Sequence, residues 1–268
     1  MEASGPALVT GASRGIGRAV ALELAARGFE VVATMRDPAN GKDLAEAGLR
    51  VEALDVDRPG SFAPPVGLRV LVNNAGIEGP QRPLEATPIE AWRRIFETNV
   101  FGLVEIIRRA LPALRETRGV VCNITSCSIL APVPFFAAYR ASKAAVSALG
   151  ESLRTELAGT GVRVLEVQPG AIRTDMLAGS EGPPETGTLE AYQRVAEHFQ
   201  RLRDATRDQF EEVDVAARAI VDGILDDTAM HRLAPDAMSA GMLAAWRAND
   251  DETILRGFLA ALGEGARD

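Results

Sequence analysis

Tyrosine and lysine each occur only twice in this chain, at positions 139 and 192 and at positions 42 and 143, and Tyr139-x-x-x-Lys143 brings one of each together. On a helix, residues four apart share a face. A phenol with a free pKa of about 10 is a poor acid–base catalyst at neutral pH, but an adjacent ammonium would stabilise the phenolate and lower that value. General acid–base catalysis works best when the pKa lies near the working pH. The basic residues are otherwise almost all arginine, so a surface cation in this chain would be an arginine. The pair therefore points to proton transfer by Tyr139 with Lys143 beside it. The plainer alternative is an amphipathic helix that happens to carry both.

A second candidate is Thr10-Gly11-Ala12-Ser13-Arg14-Gly15-Ile16-Gly17, placed after an apolar run and opening a helical pattern. Glycines at a strand-to-helix junction allow a tight turn and close backbone approach, and the free N–H groups of the helix end attract a diphosphate. A glycine cluster alone could be a plain helix entry. Its position favours a binding turn, because it joins the first strand to the first helix and a second strand follows. No Gly-Lys-Ser/Thr follows, so it is not a P-loop.

The elements that must position these groups alternate. Compact apolar runs at residues 7–10, 30–34, 49–54, 68–73, 119–125 and 162–168 read as strands buried on both faces. Helical periodicity covers 14–28, 87 to about 116 with a break near Asn99, 136–158, 189–203 and 213–226. Thr87, Pro88 and Glu90 read as cap, first helical position and capping-box partner. The expected fold class is α/β: a doubly wound, parallel, three-layer sheet of Rossmann type, as one domain over residues 1–268.

The 268 residues carry a net charge of −8 and 47% hydrophobic residues, an ordinary globular composition that disfavours nucleic-acid binding. Cys122 and Cys127 match neither a redox pair nor a zinc set, and His198 and His231 are far apart, so no metal is expected. Cys122 reads as a small buried hydrophobe. No window reaches the roughly 18 apolar residues of a membrane span, and residues 1–6 lack a basic leader, so the expectation is a cytoplasmic protein without membrane contact.

Further motifs follow in order: Asp55-Val56, Asn73-Asn74-Ala75-Gly76, Asn99, Ser126 and Pro169-Gly170-x-x-x-Thr174. With the T-G-x-x-x-G-x-G turn and the Tyr-x-x-x-Lys pair, residues 7–175 resemble the single-domain branch of the short-chain dehydrogenases/reductases. The resemblance implies that Tyr139 exchanges a proton with the substrate oxygen while hydride passes between nicotinamide and carbon. Lys143 would also hold the nicotinamide ribose. Ser126, thirteen residues before Tyr139, would bond the same oxygen; that spacing selects it over Thr125 and Ser128. Asn99 resembles the residue whose backbone holds a relay water, and its alternative is a helix break.

For the cofactor, the resemblance assigns Gly11, Ser13, Arg14, Gly15, Ile16 and Gly17 to the binding turn. Asp55 and Val56 would meet adenine, and Asn74, Ala75 and Gly76 would line the adenine-ribose side. Asn73 and Asn74 could instead only stabilise the sheet. Ile172 and Thr174 would meet the carboxamide, while Pro169 and Gly170 turn the chain over the ring or simply end a strand. NAD-specific relatives carry an acid after the second strand, where this chain has Met35-Arg36. Arg36 and Arg14 are therefore expected to clamp the 2'-phosphate of NADP(H). Asp37-Pro38 reads as a turn. Unlike the family, residues 57–67 hold three prolines and two glycines in a short crossover.

After Thr174 such enzymes diverge. Gly179, Gly182, Pro183, Pro184 and Gly187 suit a hinge, and Leu189, Tyr192, Val195, Phe199 and Leu202 form an apolar stripe. Residues 175–212 are thus expected to be a mobile lid, the plainer alternative being a permanently packed helix. Residues 234–268 form a C-terminal extension. With Val133, Phe135 and Phe136 opposite, the expected substrate is a hydrophobic ketone, aldehyde or secondary alcohol. The enzyme would be a homodimer or homotetramer paired through the helices bearing Asn99 and Tyr139. A competing reading is a non-catalytic NAD(P)-sensing protein, which would not need the complete Ser126, Tyr139 and Lys143 set. An extended-branch epimerase or dehydratase would carry a T-G-x-x-G-x-x-G turn, which this chain lacks.

Overall fold

The computed structural model describes residues 1–180 and 182–263. Its chain order is β1 (Pro6–Thr10), α1 (Gly15–Arg27), β2 (Glu30–Met35), α2 (Lys42–Glu46), β3 (Arg50–Ala53), β4 (Val70–Asn73), α3 (Ile89–Phe96), α4 (Leu103–Thr117), β5 (Val120–Ile124), α5 (Ala137–Glu156) and β6 (Arg163–Val167). There follow α6 (Asp175–Gly179), α7 (Gln193–Ala205), α8 (Val213–Leu225), β7 (Arg232–Leu233), α9 (Ala237–Ala248) and α10 (Asp251–Ala261). Among the described residues the strands form one parallel sheet in the order β3-β2-β1-β4-β5-β6-β7.

The apolar runs build this sheet because both faces are covered. Side chains alternate across a strand. Ala7 and Val9 of β1 face the core under α1 and α8, with Val70 and Val72 of β4 and Cys122 of β5. Leu8, Leu71 and Val121 face the opposite core under α4 and α5. Strand order reverses direction between β1 and β4, and a ligand crevice opens beyond the carboxyl ends of strands at such a switch point.

The six expected strands form within one or two residues of their expected ends. The two-residue β7 is too short to show a pattern, and residues 57–67 contain no helix, as the prolines implied. The helix break is a π-helical segment, Glu97–Gly102, around Asn99. One expectation is corrected. Helix α3 starts at Ile89, because Pro88 is extended and lies outside it, so Thr87 is one residue too early to cap. Its hydroxyl instead donates to the Pro83 carbonyl at 2.9 Å, and no capping box forms.

Behind the site, Glu166 of β6 is 2% exposed. Its carboxylate accepts from Thr125 Oγ1, Ser147 Oγ and Gln168 Nε2 at 3.0 Å each, and from Arg232 Nε at 3.2 Å. It thereby ties β5, α5 and β7 together. Breaking a buried ion pair strands the remaining charge. Arg232→Met, which also removes the guanidinium stacked 4.9 Å over the Trp246 ring, is expected to lower the unfolding free energy by about 3 kcal/mol in urea denaturation.

Candidate active site

The carboxyl ends of β1, β2, β4, β5 and β6 open into one cavity of about 800 Å³. From the glycine turn, Gly11, Ser13, Arg14, Gly15 and Ile16 line it; Arg36 reaches it from β2, and Asp55 and Val56 from the chain after β3. Asn74, Ala75 and Gly76 follow β4, Ser126 follows β5, and Tyr139 and Lys143 come from α5. Pro169, Gly170, Ile172 and Thr174 close it beyond β6. The structure thus brings together all the expected residues except Gly17 and Asn99, which do not line the cavity.

Gly17 is a packing position. A Cβ there would come within 2.2 Å of Asn74 Nδ2 and 2.6 Å of the Gly11 carbonyl. Gly11 has φ +65°, and a Cβ would meet Ala75 Cα at 2.7 Å. Because neither carries a side chain, Asn74 Nδ2 can donate to the Thr10 and Gly11 carbonyls at 3.0 Å each. Thr10 Oγ1 accepts from the Asn74 and Ala75 N–H groups at 3.1 Å. The Asn74 amide is committed to bracing the turn, while Asn73 Nδ2 donates to Asn123 Oδ1 at 2.9 Å across the sheet.

Asn99 is 1% exposed and does not line the cavity. Its side chain clamps a single residue from both sides: Oδ1 accepts from Ile77 N–H and Nδ2 donates to the Ile77 carbonyl, each at 2.8 Å. Nδ2 also donates to Ser142 Oγ at 2.9 Å. The loop after Gly76 is therefore fixed to α5 one turn from Tyr139.

Lys143 is 5% exposed, and its Nζ donates to the Ile124 carbonyl at 2.8 Å. It stands 5.8 Å from the Tyr139 ring centroid. Burial lowers the ammonium pKa from 10.5 to about 8. The expected lowering of the phenol pKa is not seen in the cofactor-free protein. The Tyr139 phenol is pushed above its ordinary value, first by burial and then by the negative charge of Glu78, while a hydrogen bond with Ser126 pulls it down. Lys143 gives one of its three N–H donors to a backbone carbonyl of β5. The Cys127 thiol beside them is raised to about 12 by burial and is unreactive.

Ser126 Oγ accepts from Ser128 N–H at 3.2 Å, and the Cys127 N–H donates to the Pro169 carbonyl at 2.9 Å, joining the turns after β5 and β6. Thr174 Oγ1 accepts from Leu177 N–H at 3.3 Å and caps α6. Asp37 accepts from Ala39 N–H at 3.0 Å, the turn its Asp-Pro sequence implied. Met35 is buried beneath Arg36, which is exposed.

Several lining residues escaped sequence reasoning. Glu78, two residues past Gly76, was visible only as an acid in an otherwise apolar stretch. Its carboxyl is raised to about 7 by burial, with the Arg203 charge and a Ser180 hydrogen bond opposing. Met238 and Met242 of α9 and Phe258 of α10 reach the cavity from the C-terminal extension. Asp236 caps α9, accepting from Ser239 N–H at 2.8 Å, and also accepts from Gly170 N–H at 2.7 Å. The signal that could have found it was an aspartate immediately before a helical pattern. Among the described residues, no group of His, Cys, Asp and Glu could hold a metal ion, and no helix is long and apolar enough to cross a membrane.

Comparison with known proteins agrees with this geometry. A family model described as short chain dehydrogenase matches residues 6–58 and 65–183, its gap falling in the short crossover. The chain is 35% identical over 198 residues to 3beta-hydroxysteroid dehydrogenase 1 of Eggerthella lenta, covering 66% of this chain and 74% of that one. A crystal structure of a short-chain dehydrogenase from Streptomyces avermitilis superposes with a TM-score of 0.77 at 30% identity, covering 97% of each chain. A short chain dehydrogenase from Burkholderia cenocepacia, crystallised with NADP, gives 0.73 at 29% identity over 98% of this chain and 99% of that one.

The lowered Lys143 pKa has a signed consequence for the cofactor-free protein. Between about pH 8 and the ordinary value of 10.5, the unfolded chain binds more protons at this residue than the folded one. Its contribution to stability therefore rises with pH across that window. Urea denaturation of wild type and Lys143→Met at pH 7 and pH 10 is expected to show the difference moving in favour of wild type at the higher pH.

Proposed function

The chain belongs to the short-chain dehydrogenases, a family of oxidoreductases, and on that premise we propose that it is an NADP(H)-dependent carbonyl reductase or alcohol dehydrogenase acting on a hydrophobic ketone, aldehyde or secondary alcohol. The observation that carries this reading is the convergence of Ser126, Tyr139 and Lys143 on the cavity that the glycine turn also lines. The cradle suits a dinucleotide: the glycine turn, the chain after β3 and β4, and Thr174 beyond β6 all line the same cavity.

Arg14 and Arg36 would hold the 2'-phosphate. Asp37, next to Arg36, accepts from Ala39 N–H within its own turn. Lys143 would hold the nicotinamide ribose, and Pro169, Gly170, Ile172 and Thr174 the carboxamide side. The bound cofactor supplies or accepts the hydride. Ser126 and Tyr139 bind the substrate oxygen, and in reduction Tyr139 gives that oxygen its proton. A phenol held above its ordinary pKa is fully protonated at neutral pH, which suits it to act as the acid.

Met176, Leu177, Phe199 and Leu202 from residues 175–212 line the substrate end, with Val133 and Phe136. These residues would act as a lid that excludes water from hydride transfer. Ile89 and Phe101, exposed on α3 and the π-helical segment, favour a homodimer or homotetramer through this side of the molecule.

Two measurements test the reading. Wild type is expected to have a higher kcat/KM with NADPH than with NADH, and Met35→Asp/Arg36→Ala to lose that preference; equal values in wild type would contradict the cofactor assignment. Tyr139→Phe is expected to keep the fold and cofactor affinity while turnover falls by roughly 10²- to 10⁴-fold. Near wild-type single-turnover rates in that variant would remove Tyr139 from the chemistry and favour a sensing role.

A further inference from the structure

Among the apolar side chains Val133, Phe136, Leu202, Met242 and Phe258, the cavity also holds the carboxyl of Glu78, which is of the wrong kind for a purely hydrocarbon substrate. It is not placed there by chance rotation of a loop. The residue before it is clamped at both N–H and carbonyl by Asn99, and the residue after it, Gly79, is packed so closely that a Cβ would meet Ile95 Cδ1 at 2.6 Å. Glu78 lines the same cavity as Tyr139.

A carboxyl group costs free energy when water is removed from it without a hydrogen-bond donor to replace the water. Ser180 gives the Glu78 carboxyl one hydrogen bond, and a substrate that fills the cavity would keep water from its remaining acceptor positions. We propose, resting on the oxidoreductase reading, that the substrate carries a second hydroxyl group remote from its reacting carbonyl, and that Glu78 accepts the hydrogen bond from that hydroxyl.

A donor could be a hydroxyl or an ammonium, and the surroundings favour the hydroxyl. Arg203 lines the same cavity, and its Nη1 donates to Gln81 Oε1 at 3.0 Å, while Gln81 Nε2 donates to the Ser180 carbonyl at 2.7 Å. This chain fixes a guanidinium close enough for its charge to act on Glu78. A second cation in the same space would be repelled. A hydroxyl is neutral, and it can donate to the carboxyl in either protonation state. Ser128 adds a further polar group: it lines the cavity, and its Oγ is buried with no hydrogen-bond partner among the described residues.

The test uses the full-length protein saturated with NADP⁺, a complex in which a ketone binds but is not reduced. The probes are a bicyclic ketone of the decalone type, its positional isomers bearing one remote hydroxyl, and the matching amines. Dissociation constants are measured by calorimetry for wild type, Glu78→Gln and Glu78→Leu. At least one hydroxyketone is expected to bind wild type about 10-fold more tightly than its parent, in line with a hydrogen bond to a charged group. That ratio is expected to fall close to one in Glu78→Leu and to be partly retained in Glu78→Gln, which keeps an acceptor oxygen. The proposal is overturned if no hydroxyketone outdoes the parent, if the ratio survives Glu78→Leu, or if the amines bind best. Because the readout is a ratio of affinities, a general effect of the substitution cancels. NADPH oxidation with the same ketones is followed separately: its absence would defeat the oxidoreductase reading, whereas the affinity ratio alone decides the role of Glu78.

Discussion

Everything in the site is arranged around a lysine ammonium carried into the interior with the Ile124 carbonyl as its hydrogen-bond acceptor. Burial of a cation is tolerated only where the surrounding structure insists on it. Here the insistence comes from α5, which is locked from behind by Ser147 on Glu166 and from the side by Ser142 on Asn99. The lysine cannot swing out to water without dragging a helix that is tied to two strands and a loop. What that cost secures is a fixed positive charge beside Tyr139, at the point where the turns after β4, β5 and β6 meet.

The second constraint is steric. The turn after β1 and the loop after β4 lie against each other only because Gly11 and Gly17 have no side chains, and Asn74 and Thr10 then sew them together. This seam sits at the reversal of strand order, so it forms the floor of the crevice that the parallel topology opens. The glycine turn and the wall carrying Ser126, Tyr139 and Lys143 therefore line one cavity. The C-terminal extension joins it through Asp236, which reaches from the cap of α9 to the Gly170 N–H.

How far the sequence reveals this depends on the range of the interaction concerned. Strands buried on both faces announce themselves as apolar runs, and Tyr139 and Lys143 are legible because a spacing of four is a local property of one helix. The glycine turn is legible for the same reason. What escaped is tertiary. That Lys143 would hydrogen-bond a strand carbonyl depends on how close β5 lies. That Glu78 would raise the phenol further depends on the Asn99 clamp, whose partner Ile77 lies 22 residues away. Met238, Met242 and Phe258 enter the cavity from helices that no motif connects to it. The misplaced cap at Thr87 is a local error, made because Pro88 was read as helical when it is extended.

The central claim is that this cavity moves a hydride to a carbonyl carbon while the protein supplies the proton. The most direct measurement is a single-turnover reduction with NADPH deuterated at C4, using the ketone the enzyme reduces fastest, with the product examined by NMR. The expected result is deuterium on the carbinol carbon from one face of the nicotinamide only, with the hydroxyl proton drawn from solvent. Deuterium lost to solvent, or found from both faces alike, would contradict direct transfer in an ordered site.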